Sequence, residues 1–311
     1  MSRQARVKTE NNQAWYHIYN RAAGCKGDMP FDQRGVREKL IEVIKHYSRA
    51  YFCEISAFCI MGNHYHIVAN FEKPRKLSRR ELKERAALIY PNEYRRTENW
   101  MDYEWKRFGE RLFDMSEFMR NVQMHFARWY NRRFQRKGRL WADRFKSALL
   151  ASEQAVLDCM MYVELNPVRA GIVERPEKYK YSSFYLRDMG KGDWLVELSS
   201  ILSGKSEKEV LRDYRERLYY RGEVPTREGQ CVISEEVLEE EKKRGFKTHG
   251  VYRKRLRYFT DGLIIGSEEH VREWVSRFKD EGMYLEKFKA VIQAEGRMLS
   301  VRAQRRNFID A

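Results

Sequence analysis

His64 and His66 stand one residue apart at the start of the apolar run HYHIVANF, directly after the pair Gly62-Asn63. Alternation along a strand puts His64, His66, Val68 and Asn70 on one face and Tyr65, Ile67, Ala69 and Phe71 on the other. Two imidazoles spaced about 6 to 7 Å by the usual rise per residue can aim their nitrogens at one ion between them. The apolar face reads as the core side, so the histidines are expected to look outward. An H-x-H by itself is also the pattern of two ordinary surface histidines. A second pair of residues adds the missing groups. Tyr162 and Asn166 in CMMYVELNPVRAG are four apart, which a helix places on one face as a phenol and a neutral amide oxygen. A tyrosine beside a divalent cation and a polarised phosphodiester can attack phosphorus and hold the product as a phosphotyrosine ester. Two imidazoles and one amide oxygen leave positions open for water and phosphate, which suits Mg²⁺ or Mn²⁺ better than closed tetrahedral zinc. Against this, a helical tyrosine is commonly core packing, and an Asn before proline is commonly a helix end.

The elements that must carry these residues follow from periodicity. AWYHIYNR (14–21) reads as a first strand. From Asp32 as N-cap, Val36, Leu40, Val43, Ile44 and Tyr47 recur at helical spacing. Residues 51–61 and 64–71 read as two strands joined by Gly62-Asn63, with glycine where a type II′ turn wants it. Residues 73–112 are charged and read as a helical insertion without chemistry of its own. Ser116 opens a long helix with Phe118, Val122, Phe126, Trp129 and Arg133 on one stripe. A strand over about 139–150 follows, and Ser152 caps a helix that reaches Asn166 before Pro167. The order β-α-β-β-α-β-α predicts an α+β fold, a ferredoxin-like antiparallel sheet with helices, over residues 1–185. The shift to charged helix with Gly-rich breaks predicts a second, mainly helical domain over 186–311.

With 61 Lys plus Arg against 45 Asp plus Glu, the formal charge of +16 favours a polyanionic partner. Nucleic acid leads, because no apolar run approaches the roughly 20 residues of a membrane span and the N-terminus lacks a signal-peptide core, which makes the chain cytoplasmic by expectation. Cys25, Cys53, Cys59, Cys159 and Cys231 show no C-x-x-C spacing, which argues against a zinc knuckle or a disulfide framework. The best phosphate-binding block is Arg132, Arg133, Arg136, Lys137, Arg139, Arg144 and Lys146, interleaved with Phe134, Trp141 and Phe145 on which single-stranded bases could stack. The same block reads equally as a solvated helix face followed by a core strand. Arg21 and Arg169 flank the expected site and could hold a phosphate bidentately. In the tail, Arg253, Lys254, Arg255 and Arg257 precede a stretch that could form a helix-turn-helix-like unit about Gly266-Ser267. His17, His46, His125, His249 and His270 read as structural or surface residues, with His17 on a strand that borders the site.

Taken together, NHYHIV, YVELNPVRAGIV, YHIYNR and GRLWADRFKS resemble the single-tyrosine HUH transposases, the insertion-sequence-200-like group, and within it the REP-associated tyrosine transposases, over about residues 14–185. The resemblance implies that His64 and His66 ligate a divalent metal, that Asn166 completes the metal site and that Tyr162 is the nucleophile. It implies metal-dependent cleavage and rejoining of single-stranded or hairpin DNA through a 5′-phosphotyrosine intermediate, and admits a homodimer in which the tyrosine helix serves the partner's site. Two other classes stay open: a hairpin-DNA-binding protein without turnover, and a metal-dependent nuclease using water.

Overall fold

The computed structural model describes residues 7–9, 12–25, 27–91, 97–202, 206–246, 263–280, 288–292 and 298–303. Strands β1 (Ala14–Arg21), β2 (Cys53–Ile60), β3 (His64–Phe71) and β4 (Lys146–Leu150) lie in the spatial order β2-β3-β1-β4, every neighbour antiparallel. That is the ferredoxin-like order expected from the β-α-β-β-α-β sequence. Helices α1 (Val36–Ala50) and α4 (Met115–Arg133) pack on one face, against Ile18, Tyr65, Ile67 and Phe71. Between them come α2 (Arg79–Ile89) and α3 (Asp102–Arg111), the charged insertion. It is packed into the fold: Leu82, Ala86, Trp105 and Phe108 join the same core. Arg85 lays its guanidinium on Phe52, 3.6 Å from the ring centre, and donates to the carbonyls of Arg49, Ala50 and Tyr51 at the end of α1. This satisfies acceptors that a helix C-terminus leaves open.

The histidine face does not look outward. Helix α5 (Glu153–Glu164) covers it, and Ala57, Cys59, Val68, Ala148 and Leu150 of the sheet form a second core with Val156, Met160 and Val163. His66 is 5% exposed and His17 is fully buried. The sequence pattern misled because Val68 and Asn70 on that face were read as a half-polar surface, whereas a sheet buried on both faces needs no clean alternation.

Further differences are local. The helix expected from Asp32 begins at Val36 behind Gly35 (φ 80°), since Pro30–Asp32 forms a 3₁₀ turn and Asp32 pairs with Arg37. Gly62 does not take the positive φ of a type II′ turn; a Cβ there would lie 2.6 Å from the Asp32 Oδ1 and 2.7 Å from the Met29 sulfur, so a larger residue would have to displace those side chains. The strand expected over about 139–150 is only β4, and α5 stops at Glu164, with Asn166 opening the short α6 (Asn166–Arg169). Ser152 caps α5 as expected, its side chain accepting from the Ala155 amide.

The C-terminal part supplies α7 (Ser183–Asp188), α8 (Glu207–Gly222), α9 (Glu235–Lys243) and α10 (Glu268–Asp280), together with β5 (Ile264–Ser267), β6 (Phe288–Ile292) and β7 (Met298–Ala303). The expected boundary at 185/186 is not a break in packing. Val210, Tyr214, Leu218 and Ile233 share the second core with α5, and β5 joins β4 in parallel register, so that one sheet runs β2-β3-β1-β4-β5-β7-β6. The segment about Gly266 is a strand followed by α10, not a helix-turn-helix; Arg253, Lys254, Arg255, Arg257 and His249 lie outside the described residues. Cys53, Cys59 and Cys159 are buried thiols, while Cys25 and Cys231 are exposed.

Candidate active site

Register builds the site. Arg21, Tyr19 and His17 of β1 stand opposite His64, His66 and Val68 of β3, so Trp15, His17, Tyr19 and Arg21 share the histidine face. Lys146 of β4 stands opposite Tyr19 on the same face. Helix α5 lays Tyr162 across it: the phenol ring is 6.0 Å, edge to face, from both His17 and His66, and the rings of His64 and His66 are 5.2 Å apart. His64, His66, Tyr162, Asn166 and Arg169 line one pocket of about 240 Å³, with Thr226, Arg227 and Gln230 from the loop after α8. The paired imidazoles, the phenol and the carboxamide predicted to converge are therefore neighbours within one chain.

The ring nitrogens are sorted by their partners. The Asn63 amide nitrogen donates to the Asp28 carbonyl, which leaves its Oδ1 to face His64 Nδ1 at 2.8 Å. His64 Nδ1 thus carries the proton, and its Nε2 keeps a lone pair. His66 Nδ1 shares one proton with His17 Nε2 at 2.9 Å. Burial, and then the charge of Arg21, lowers His64 to about pH 4; burial, His17 and His64 hold His66 well below the ordinary histidine range. Both imidazoles are neutral at physiological pH, as metal ligands must be. The Asn166 amide nitrogen donates to the carbonyls of Tyr162 and Val163 at 3.0 and 3.1 Å, closing the end of α5, so Oδ1 is the end of the side chain left to offer. The donor set fits an oxygen-preferring divalent ion with ligand positions to spare, held by two imidazoles and one amide oxygen.

Arg169 is the electrostatic centre of the pocket. It is 7% exposed, sits 5.4 Å from the centre of the Tyr162 ring, and no carboxylate pairs with it among the described residues. Burial lowers it to about 10, which still leaves it charged at neutral pH. Its buried Nε has no hydrogen-bond partner among the described residues. None of the described residues that line the pocket is a carboxylate, so among them this buried cation meets no counter-charge. Such a site favours an anion.

The basic block lies beside this pocket rather than in it. Arg132, Arg133, Arg136, Lys137, Arg139, Arg144 and Lys146 are all exposed. Backbone bonds from Ala23 to Leu140 (2.7 Å) and from Ala142 to Arg21 (3.0 Å) tie the stretch to the end of β1, next to exposed Arg21. Trp141 does not present a free ring: its Nε1 donates to the Gln123 carbonyl, and Phe31, Tyr65 and Phe126 pack against it at 5.5 to 5.9 Å. Phe145 is buried. The large apolar surface of these two rings is used mainly inside, whereas Phe134 stays half-buried, with the Arg133 guanidinium 5.7 Å from its ring centre.

Sequence reading put His17 on a strand bordering the site but missed its direct contact with His66, and missed Tyr19 altogether, although the β1 alternation in YHIYNR carried that signal. It also missed Thr226, Arg227 and Gln230, which no motif marks.

No curated protein matches the chain. Among solved structures, that of a REP-associated tyrosine transposase bound to a REP hairpin is similar with a TM-score of 0.41 and 16% identity, over 66% of this chain and 98% of the other. The family described as "Transposase IS200 like" matches residues 13–108, which hold β1, α1 and the histidine hairpin. Over that third of the chain the sequence is similar to the IS200-like transposases, in agreement with the motifs of the histidine hairpin; Tyr162 and Asn166 lie outside the matched residues.

Proposed function

We propose that this pocket cleaves and rejoins single-stranded DNA at a phosphodiester, close to a hairpin, with Tyr162 as nucleophile. The observation that carries the reading is the meeting of Tyr162 with two neutral imidazoles and a buried, uncompensated Arg169 in one cavity. Arg169 attracts and orients the scissile phosphate. The Tyr162 phenol gives up its proton, its oxygen forms a bond to phosphorus, and the P–O3′ bond breaks. The products are a 5′-phosphotyrosine ester and a 3′-hydroxyl that takes up a proton. Attack by another 3′-hydroxyl reverses these events and joins a new strand without an external energy source. His64, His66 and Asn166 would hold a divalent ion, Mg²⁺ or Mn²⁺, which when bound supplies Lewis-acid polarisation of the phosphate. The exposed strip from Arg132 to Lys146, with Arg21, lies where the strand would leave the pocket.

Tyr162→Phe removes one oxygen and little volume, so it tests the nucleophile directly. The wild-type chain should form a covalent protein–DNA adduct on a denaturing gel, sensitive to chelator, and Tyr162→Phe should form none while still binding DNA. Free 5′-phosphate ends without an adduct would establish a hydrolytic nuclease instead, and DNA binding without cleavage in any divalent metal would establish a binding protein.

A further inference from the structure

The pocket has a wall that the catalytic motifs do not account for. Helix α8 returns along α5, and the chain after it forms a closed loop. The Ile233 amide donates to the Gly222 carbonyl at 2.9 Å, and the Cys231 amide donates to the Arg169 carbonyl at 3.3 Å. Gly222 admits no side chain, since a Cβ would lie 2.5 Å from Ile233 Cδ1 and 3.1 Å from Leu165 Cδ2. Both ends of the loop are thereby held against α6 and the end of α5.

Inside the loop Gln230 sets the conformation. Its Oε1 accepts from the Thr226 amide (3.1 Å), the Thr226 hydroxyl (2.6 Å) and the Arg227 amide (3.0 Å). Three donors on one oxygen fix which way the carboxamide points. The polar group that Gln230 has left for the pocket it lines is its NH₂, a pure donor. Arg227 lines the same pocket and is exposed. The loop also carries an exposed acid, Glu228, which is not among the described residues that line the pocket. A guanidinium and an amide NH₂ on a braced loop that shares the pocket with Arg169 form a cradle of donors for an anion.

We propose that the loop from Thr226 to Gln230 is a second phosphate-holding element of the site, in which Arg227 and the Gln230 NH₂ contact a backbone phosphate of the bound strand. The inference rests on the DNA-cleaving reading above and extends it to a part of the chain outside the resemblance. It makes the C-terminal segment a direct contributor to substrate binding.

The test uses the full-length chain and fluorescein-labelled oligothymidylate, with affinity measured by anisotropy across a series of salt concentrations. Each phosphate contact on a single strand contributes about 0.7 to the slope of log affinity against log salt. Arg227→Ala should weaken binding and flatten that slope by about 0.7, and Arg227→Lys should restore the slope. Gln230→Glu keeps the acceptor that braces the loop but turns a donor into a negative oxygen, and should weaken binding about tenfold or more with an unchanged thermal melt. Unchanged affinity and slope in both Arg227→Ala and Gln230→Glu would overturn the proposal, as would a loss in Arg227→Ala that leaves the slope intact. Failure of the nucleophile reading is seen separately, in the adduct assay of Tyr162→Phe.

Discussion

On one face of the sheet Ile18, Tyr65, Ile67 and Phe71 meet α1 and α4 in a core whose buried polar groups are few, Asn121 with Tyr51 among them. On the other face His17, His66 and Val68 meet α5, and behind α5 lie the buried Asp158, Glu164, Arg169 and Arg221. The first face stabilises mainly by apolar burial. The second buries charge and must satisfy it through specific partners: Arg221 donates to Asp158 at 2.6 Å, and the Tyr214 and Ser183 hydroxyls donate to Glu164. Helix α8 is thus bolted to the tyrosine helix at two points that flank Tyr162 in sequence. A buried ion pair adds little stability over an apolar pair of the same shape, but removing one partner is costly. The histidine face thus exchanges stability for fixed geometry, while the opposite face carries the fold.

Four variants test that contrast. Asp158→Ala removes the carboxylate that pairs with the buried Arg221 guanidinium, and should cost about 3–5 kcal/mol in urea unfolding. The double change Asp158→Leu with Arg221→Met should recover most of it; a single mutant as stable as the parent would mean that the pair does not latch α8 to α5. On the apolar face, Ile67→Ala should cost about 2–5 kcal/mol, with adduct formation per folded molecule unchanged. A selective loss of adduct formation in that variant would erase the distinction between the faces. His17→Phe keeps an aromatic ring against His66 and Tyr19 but removes the nitrogen that meets His66 Nδ1. Loss of such an orienting partner should weaken Mn²⁺ binding about 10- to 100-fold in a calorimetric titration, with little change in the melt. Equal Mn²⁺ affinity would show that His17 only fills space.

What was legible in the sequence divides along the same line. The apolar face was written in periodicity: Val36, Leu40, Val43 and Ile44 of α1, and Phe118, Val122 and Phe126 of α4, are buried as their spacing predicts. Strand order followed from element order, because hairpin and crossover rules leave few alternatives. His64, His66, Tyr162 and Asn166 were legible as competent residue types, and they do meet in one pocket. The burial of His66, and the half-burial of the other three, was not legible, since it depends on α5 closing over the sheet, and that packing joins residues far apart in the chain. For the same reason the loop from Thr226 to Gln230 carried no signal: its place is set by Gly222, Ile233 and Cys231 against α6, which no local pattern encodes. Trp141 misled in the opposite direction, because a tryptophan among arginines looks like a stacking platform until its neighbours Phe31, Tyr65 and Phe126 are known.

The smallest expected effect is a pH slope set by one buried carboxyl on the histidine face. Glu164 is fully buried, and burial raises its carboxyl from the ordinary 4.5 to about 7, against the opposing pull of Arg187 and of its hydrogen bonds from Ser183 and Tyr214. Between those two values the folded chain keeps a proton that the unfolded chain has lost. Folding stability contributed by this group is therefore complete below pH 4.5 and drains away as pH rises through 7, by up to about 1.4 kcal/mol per pH unit. Glu164→Gln is neutral at every pH, and its amide can bond both hydroxyls. Urea midpoints of the parent should fall relative to Glu164→Gln as pH is raised across that window, and should run parallel to them above it. Parallel curves within the window would mean that Glu164 is ionised in the folded chain with Arg187 as its counter-ion, and that this face holds one more buried charge pair than its hydrogen bonds reveal.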